Sequence, residues 1–169
     1  MRILLCVLFV MLAVVPADTL PRSRATPAQS DAMAFIARMY ADYSWETNDA
    51  TFRSNTPLFV ASSTVLERFF DTPLAKAILA DRACAVRTQG ECHLSFDPMW
   101  DSQDPGGVTV RVVPTRDSLV VQARLHYPYR NETRVVTYRL RRTPTGLRIV
   151  DMGGRHWPSL LKLFQRPVQ

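Results

Sequence analysis

Residues 108–127 read Val108-Thr-Val-Arg-Val-Val-Pro114-Thr-Arg-Asp117-Ser-Leu119-Val-Val-Gln-Ala-Arg-Leu-His-Tyr127, and this stretch decides the fold class. Val108, Val110 and Val112 alternate with Thr109, Arg111 and Val113. After a turn at Pro114 to Asp117, Leu119, Val121, Ala123, Leu125 and Tyr127 alternate with Gln122, Arg124 and His126. A period of two is that of a strand with one buried face. A turn containing Pro128 and Asn131 follows, then Val136, Tyr138 and Leu140 against Thr137, Arg139 and Arg141. Pro144-Thr-Gly146 turns into Leu147, Ile149 and Asp151. Four strands joined by short turns predict an antiparallel meander with one face on the core.

Upstream the period is helical. Ser30 is an N-cap candidate with Asp31 in the first turn, and Phe35, Ile36, Met39, Tyr40 and Tyr43 fall on one side. The polar bridge Ser44 to Asn55 carries no readable period. Ser63 is placed to cap a second helix with Val65, Leu66, Phe69 and Phe70, and Thr72 to cap a third with Pro73 in its first turn and Leu74, Ile78 and Leu79 as its stripe. Downstream, Gly153-Gly154 ends the sheet and Trp157 to Phe164 predicts a short amphipathic helix. Helices first and a sheet second is an α+β layout, with a groove expected where the sheet curls around the helices.

The chain has 169 residues, room for one sizeable core, and a formal net charge of +6. Lysine occurs only at Lys76 and Lys162, so the positive charge is nearly all arginine. Met1-Arg2, the apolar run Ile3 to Val15 and the small residue Ala17 predict a secretory signal cut after Ala17. Residues 18–29 read as a flexible tail and residues 30–169 as one α+β domain. The leader is too short to span a bilayer comfortably, no stop-transfer run follows, and Cys6 does not sit in a lipoprotein cleavage site. Removal of the leader leaves Cys84 and Cys92 in an oxidising compartment, where they predict a disulfide closing a short loop with Gly90 available to turn. His93 beside two thiols does not complete a zinc set.

Three aspartates, Asp97, Asp101 and Asp104, crowd the stretch between the cysteines and the first strand, among Phe96, Pro98, Trp100 and Gln103. On a helix the three would share a face and could hold a hard cation or raise one another's pKa. As a turn, Asp97 before Pro98 caps, Phe96 and Trp100 plug the core, and Asp104-Pro105-Gly106-Gly107 delivers the chain into the strand. The calcium-loop pattern is absent, and the turn is the simpler reading. On the sheet, Arg111, Arg124, Arg139, Arg141 and Arg148 fall on the polar side with Gln122 and His126, a surface suited to carboxylates or phosphates or simply to solvent. His93, His126 and His156 are scattered, and neither Gly-x-Ser-x-Gly nor His-Glu-x-x-His occurs. Arg155-His156-Trp157 reads as a binding corner or as an anchor for the last helix. Asn131-Glu132-Thr133 matches a glycosylation sequon, idle in a bacterial host. No aromatics interleave with the arginines to stack bases, which with export disfavours nucleic acid.

The run Leu94-Ser95-Phe96-Asp97-Pro98-Met99-Trp100-Asp101-Ser102-Gln103-Asp104 resembles the aromatic/Asp-Pro-aromatic…Gln-Asp signature of a bacterial envelope family, domain of unknown function family 3828. Helices before it, a meander after it and the closing segment Leu147 to Asp151 are similar to that family as well. The resemblance covers about residues 31 to 152. It implies an exported cystatin-like or NTF2-like α+β domain and carries over no catalytic residue.

The expectation is a non-enzymatic periplasmic binding protein without cofactor or metal, whose Asp97, Trp100, Asp101, Gln103, Asp104, Arg111, Arg124 and Arg139 contact a protein partner, a secreted toxin or a cell-wall enzyme. One alternative is an NTF2-like enzyme with Asp97 or Asp101 as general base and His126 orienting it. Another is an envelope protein that holds peptidoglycan or anionic lipid on its arginine face.

Overall fold

The computed structural model describes residues 25–47 and 55–167; the leader, most of the tail and the centre of the polar bridge lie outside the described residues. Helix α1 spans Pro27–Asp42. It begins three residues inside the expected tail, because Thr26-Pro-Ala-Gln29 is a complete start signal. The Thr26 hydroxyl accepts from Gln29 N at 3.2 Å, the Gln29 side chain accepts from Thr26 N at 2.9 Å, and Pro27 supplies a preset φ. Ser30 is therefore inside the helix and not its cap. Ala32, Ile36, Met39 and Tyr40 are buried; Phe35 and Tyr43 flank them and meet Phe69 edge-on or tilted at about 6 Å.

The start of the bridge that has no period is ordered by a 3-10 turn at Ser44–Thr47, within which Glu46 is buried, and a second 3-10 turn follows the bridge at Leu58–Val60. Helix α2 spans Ser63–Phe69 and α3 spans Thr72–Thr88. Each cap lies one residue earlier than the sequence suggests, at Ser62 and at Asp71. The Asp71 carboxylate accepts from Leu74 N at 3.1 Å and meets Arg141 at 3.1 Å. A carboxylate serves a helix start better than the Thr72 hydroxyl does, because it also answers the helix dipole. Between the two helices Phe70 is extended and bridges Ile149, and Asp71 N donates to Ile149 O at 2.9 Å. Helix α3 ends on Gln89 in the left-handed region at φ 54°, one residue before the glycine expected to turn there. Cys84 and Cys92 form a disulfide, with Cα atoms 6.1 Å apart.

Four strands follow: β1 Thr109–Pro114, β2 Val120–Tyr127, β3 Glu132–Thr143 and β4 Gly146–Gly153. They pair antiparallel in the order β1-β2-β3-β4, the open meander that the alternation predicts. The register sets Arg111 opposite Arg124, Gln122 opposite Thr137 and Thr137 opposite Gly153. An irregularity between Arg139 and Leu140 leaves Val150 as the extra residue of β4. Helix α1 lies against β1 and β2, while α2, α3 and the last helix α4 (Leu160–Phe164) lie against β4. Helix α4 starts at Leu160 because Ser159 caps it, accepting from Lys162 N at 3.1 Å, while Asp151 accepts from Leu160 N and Leu161 N. Val121, Ala123, Leu125, Val136, Tyr138, Ile149 and Met152 form the sheet's inner face, all fully buried. Each side chain of Leu or Ile size there contributes roughly 1.5–3 kcal/mol by leaving water. Among the described residues no helix is long and apolar enough to cross a membrane.

Candidate functional site

The acidic loop is a closed turn. Asp97 N donates to Ser102 O at 3.0 Å and Ser102 N donates back to Asp97 O at 3.4 Å, while the Asp97 carboxylate accepts from Met99 N at 2.8 Å. This pinches out Met99 and Trp100, which enter the core at 0% and 1% exposure. The Trp100 indole donates to Glu46, whose other oxygen accepts from Leu58 N at 2.9 Å. The Tyr40 hydroxyl donates to Met99 O at 2.6 Å and lies 2.7 Å from the Tyr138 hydroxyl, and Tyr127 donates to Trp100 O. Burial, with the Glu46 carboxylate second, raises Asp97 to about 7, and burial raises Glu46 as well. Burial holds Tyr127 at about 12 and pushes Tyr138 well above the ordinary phenol range.

This arrangement follows the turn reading of the loop, overturns its helical alternative and corrects two further expectations. The aspartates share no face, because the segment is a turn and not a helix: Asp97 faces the buried tyrosines, Asp101 faces Trp157, and Asp104 is exposed with Oδ1 on Gly106 N at 3.3 Å. Trp100 offers no contact surface, since its ring is packed on Tyr40 with centroids 5.2 Å apart. The Asp–His pair does not form either. His126 stands exposed on the outer face of β2, its nearest polar partner Thr133 Oγ1 at 3.4 Å, across the sheet from Asp97. Of the remaining loop candidates, Asp101 accepts from the Trp157 indole at 2.6 Å and Gln103 donates to Ser95 O at 2.6 Å. The loop residues are spent on holding the loop.

The arginine face divides in two. Arg139 meets Asp151 at 3.5 Å and Arg141 meets Asp71, while Arg148 folds onto Thr145 Oγ1 at 3.0 Å and Leu147 O at 2.7 Å. Arg111 and Arg124 are exposed register partners across β1 and β2, with no carboxylate on either among the described residues. Like charges directly opposite one another on a sheet repel, and an anion seated between or beside them relieves that repulsion.

One strand further, beside Val135 (the β3 partner of Arg124), lies a cavity of about 490 Å³. Thr133, Val135 and Thr137 form its floor, and Gly153, Gly154, Arg155 and His156 form its far wall. At its end Arg134 is fixed by three contacts: its guanidinium lies 5.0 Å from the Tyr127 ring centre, pairs with Glu132 at 3.0 Å and donates to Asp101 O. The far wall is built by its glycines. A Cβ on Gly153 would sit 2.3 Å from Pro158 O, and one on Gly154 would sit 2.6 Å from the Trp157 indole nitrogen. Gly154 N donates to Trp157 O at 3.0 Å, so the turn thrusts Arg155 and His156 outward while Trp157 is buried against Phe96. Arg155-His156-Trp157 is thus both a corner and an anchor. Glu132 and Arg134 were not legible as site residues, because the contact of Arg134 with the Asp101 carbonyl joins segments 33 residues apart.

A second cavity, of about 330 Å³, is the groove between α1 and β1, walled by Ala37, Ala41, Val108, Val110 and Val112 with Tyr40 and Trp100 among its lining residues. Neither Asp97 nor Asp101 lines it.

No family model and no curated protein matches this chain. Among solved structures, the chain is similar to the phospholipid-binding protein from Ralstonia solanacearum, solved in complex with a phospholipid, at 14% identity and a TM-score of 0.36 over 82% of this chain and 71% of that one. A likeness this loose does not carry the lipid over.

Proposed function

We propose that the protein is an exported binding protein of the bacterial envelope that takes an anionic group on the outer face of its sheet, at the cavity between Val135 and the Arg155–His156 turn. The observation that carries the reading is the flank of cations: Arg155, next to His156, on the far wall and the opposed Arg111–Arg124 pair on the near side. Glu132 and Asp101 at the cavity's end are already engaged, by Arg134 and by Trp157. Export is supported by the leader-like Met1 to Ala17 and by the Cys84–Cys92 disulfide, which suits an oxidising compartment. Among the described residues the large exposed apolar side chains are scattered, at Val60, Val86 and Tyr129. That favours a charged ligand or segment over a broad apolar docking face of the kind an obligate protein partner needs.

Titration with dextran sulfate, with neutral dextran as control, tests the reading. The sulfated polymer is expected to bind with an affinity that falls steeply with salt. Arg155→Gln and Arg124→Gln are expected to weaken it several-fold, and Arg87→Gln, on α3, to leave it unchanged. Equal weakening by all three variants would sink the site.

A further inference from the structure

The cavity has the shape of a missing strand. β3 runs from Glu132, but its pairing with β4 stops at Thr137–Gly153, so Glu132 to Val136 has a neighbour on one side only. Which main-chain groups are left over follows from one bond. Leu140 N donates to Leu119 O at 2.8 Å, so Leu140 turns its main chain toward the β2 side. In an antiparallel ladder the N–H and C=O of one residue point the same way and successive residues alternate. Even-numbered residues of β3 therefore serve β2, while Thr133 and Val135 turn their N–H and C=O into the lane that β4 vacates. No turn or loop backbone among the described residues bonds to either of them.

β4 cannot lengthen to fill this lane. Gly153 is pressed against Pro158, Gly154 against Trp157, and Trp157 is fastened to Asp101 at 2.6 Å, which draws the chain away from β3. Further along the same flank the edge is treated differently: the outer edge of β4 is covered by Phe70 and Asp71, with Asp71 N on Ile149 O. Natural sheets cover or charge their free edges, and an uncovered lane beside a formed cavity invites a strand from another chain.

We propose that this lane is a strand-addition site and that its occupant is an extended acidic peptide segment, a refinement that rests on the anionic-ligand reading above. Glu132 to Val136 offers about 17 Å of edge at roughly 3.4 Å per residue. Main-chain bonds to Thr133 and Val135 would hold any extended segment; the side chains choose among them. An added residue whose side chain rises on the outer face meets Arg155 and His156, with Arg124 beyond Val135. Its neighbours on the inner side meet Arg134, which is immobilised by Tyr127, Glu132 and the Asp101 carbonyl. Aspartate or glutamate at alternate positions fits this wall, and a basic segment is repelled by it.

The test is fluorescence anisotropy with a labelled, amidated heptapeptide of alternating aspartate and valine, and with its two alternate-residue N-methylated frames. All three peptides carry the same charges and side chains. The parent is expected to bind, one N-methylated frame to bind equally, and the other to lose at least tenfold because its N–H groups no longer reach β3. Hydrogen exchange should show new protection at Thr133 and Val135 on adding the parent. Val135→Pro, which removes a donor facing the lane and none facing β2, should weaken the parent peptide and the tolerated N-methylated frame alike. Equal binding of both frames overturns strand addition and leaves the anionic-ligand reading standing. Binding of dextran sulfate with no binding of the parent peptide does the same. Failure of every anionic probe overturns both.

Discussion

The Trp157 indole donates to the Asp101 carboxylate at 2.6 Å, joining the acidic loop before the sheet to the turn that follows it. The bond closes a ring of structure across 56 residues of sequence and sets the position of the Arg155–His156 wall. Asp101 also sits in the left-handed region at φ 51°, where asparagine is tolerated better than alanine. Asp101→Asn keeps an acceptor and should cost under ~1 kcal/mol. Asp101→Ala removes the acceptor and strains the backbone, and should cost about 2–3 kcal/mol by urea unfolding. In a double-mutant cycle with Trp157→Phe the two losses should not add.

Asp97 gives the fold a pH dependence of definite sign. Its carboxyl titrates near 7 in the folded chain and near 3.8 when unfolded, so between those values the folded state holds the extra proton. Stability from this group is therefore greatest below pH 4 and declines as pH rises toward 7. The decline is on the order of 2–4 kcal/mol, at about 1.4 kcal/mol per pH step. Asp97→Asn retains the acceptor for Met99 N and should remove this slope, raising the urea midpoint at pH 7 and not at pH 4. An unchanged slope in the variant would assign the pH dependence to another group, with Glu46, also raised by burial, the first to test.

What the sequence disclosed followed the range of the forces involved. The four strands were legible because alternation is local: each of Val121, Ala123 and Leu125 declares its side of the sheet by its neighbours. The disulfide was legible from the cysteine count and an expected oxidising compartment, and the acidic loop as a turn from Asp97-Pro98. Helix caps slipped by a residue or more wherever two candidates stood side by side, as Asp71 and Thr72 do. The site was least legible. Arg111 and Arg124 could be placed on one face, but that Arg139 and Arg141 are neutralised by Asp151 and Asp71 depends on register and on a long-range bridge. The vacant lane beside β3 depends on where β4 stops, which Gly153 and Gly154 mark only once their contacts with Pro158 and Trp157 are known.

Gln89 closes α3 in the left-handed region, a conformation that costs a side chain with a Cβ and costs glycine little. Its side chain is exposed, so little packing is lost on removing it. Gln89→Gly should stabilise the protein by about 0.5–1 kcal/mol, read as a rise in thermal midpoint. Gly90→Ala, at the next position, has ordinary space around its Cβ and should leave the midpoint nearly unchanged or slightly higher.

His93 ties the C-terminal end to the disulfide loop through a ring that needs two protons. Nδ1 lies 2.8 Å from Asp81 Oδ1, which also accepts the His93 main-chain N–H, and Nε2 lies 2.9 Å from Arg166 O. Both partners of the ring are acceptors, and a neutral imidazole has one N–H to give. The Arg166 carbonyl raises the His93 pKa most, burial opposes it next in size, and the Asp81 carboxylate adds to the rise, so that the net shift is upward. A raised histidine pKa stabilises the fold fully below about 6.5, and that stabilisation is lost as pH rises through the folded value. The weaker tether should go first, since a carbonyl holds a ring N–H less tightly than a carboxylate does. Proton NMR titration should place His93 above the ordinary histidine value, and Asp81→Asn should bring it down. Across the same pH window, amides of α4 near Leu163 and Arg166 should exchange faster relative to their unstructured rates, while those of β2 do not. His93→Gln should abolish that pH dependence. Its persistence in the variant would assign the loosening to another group.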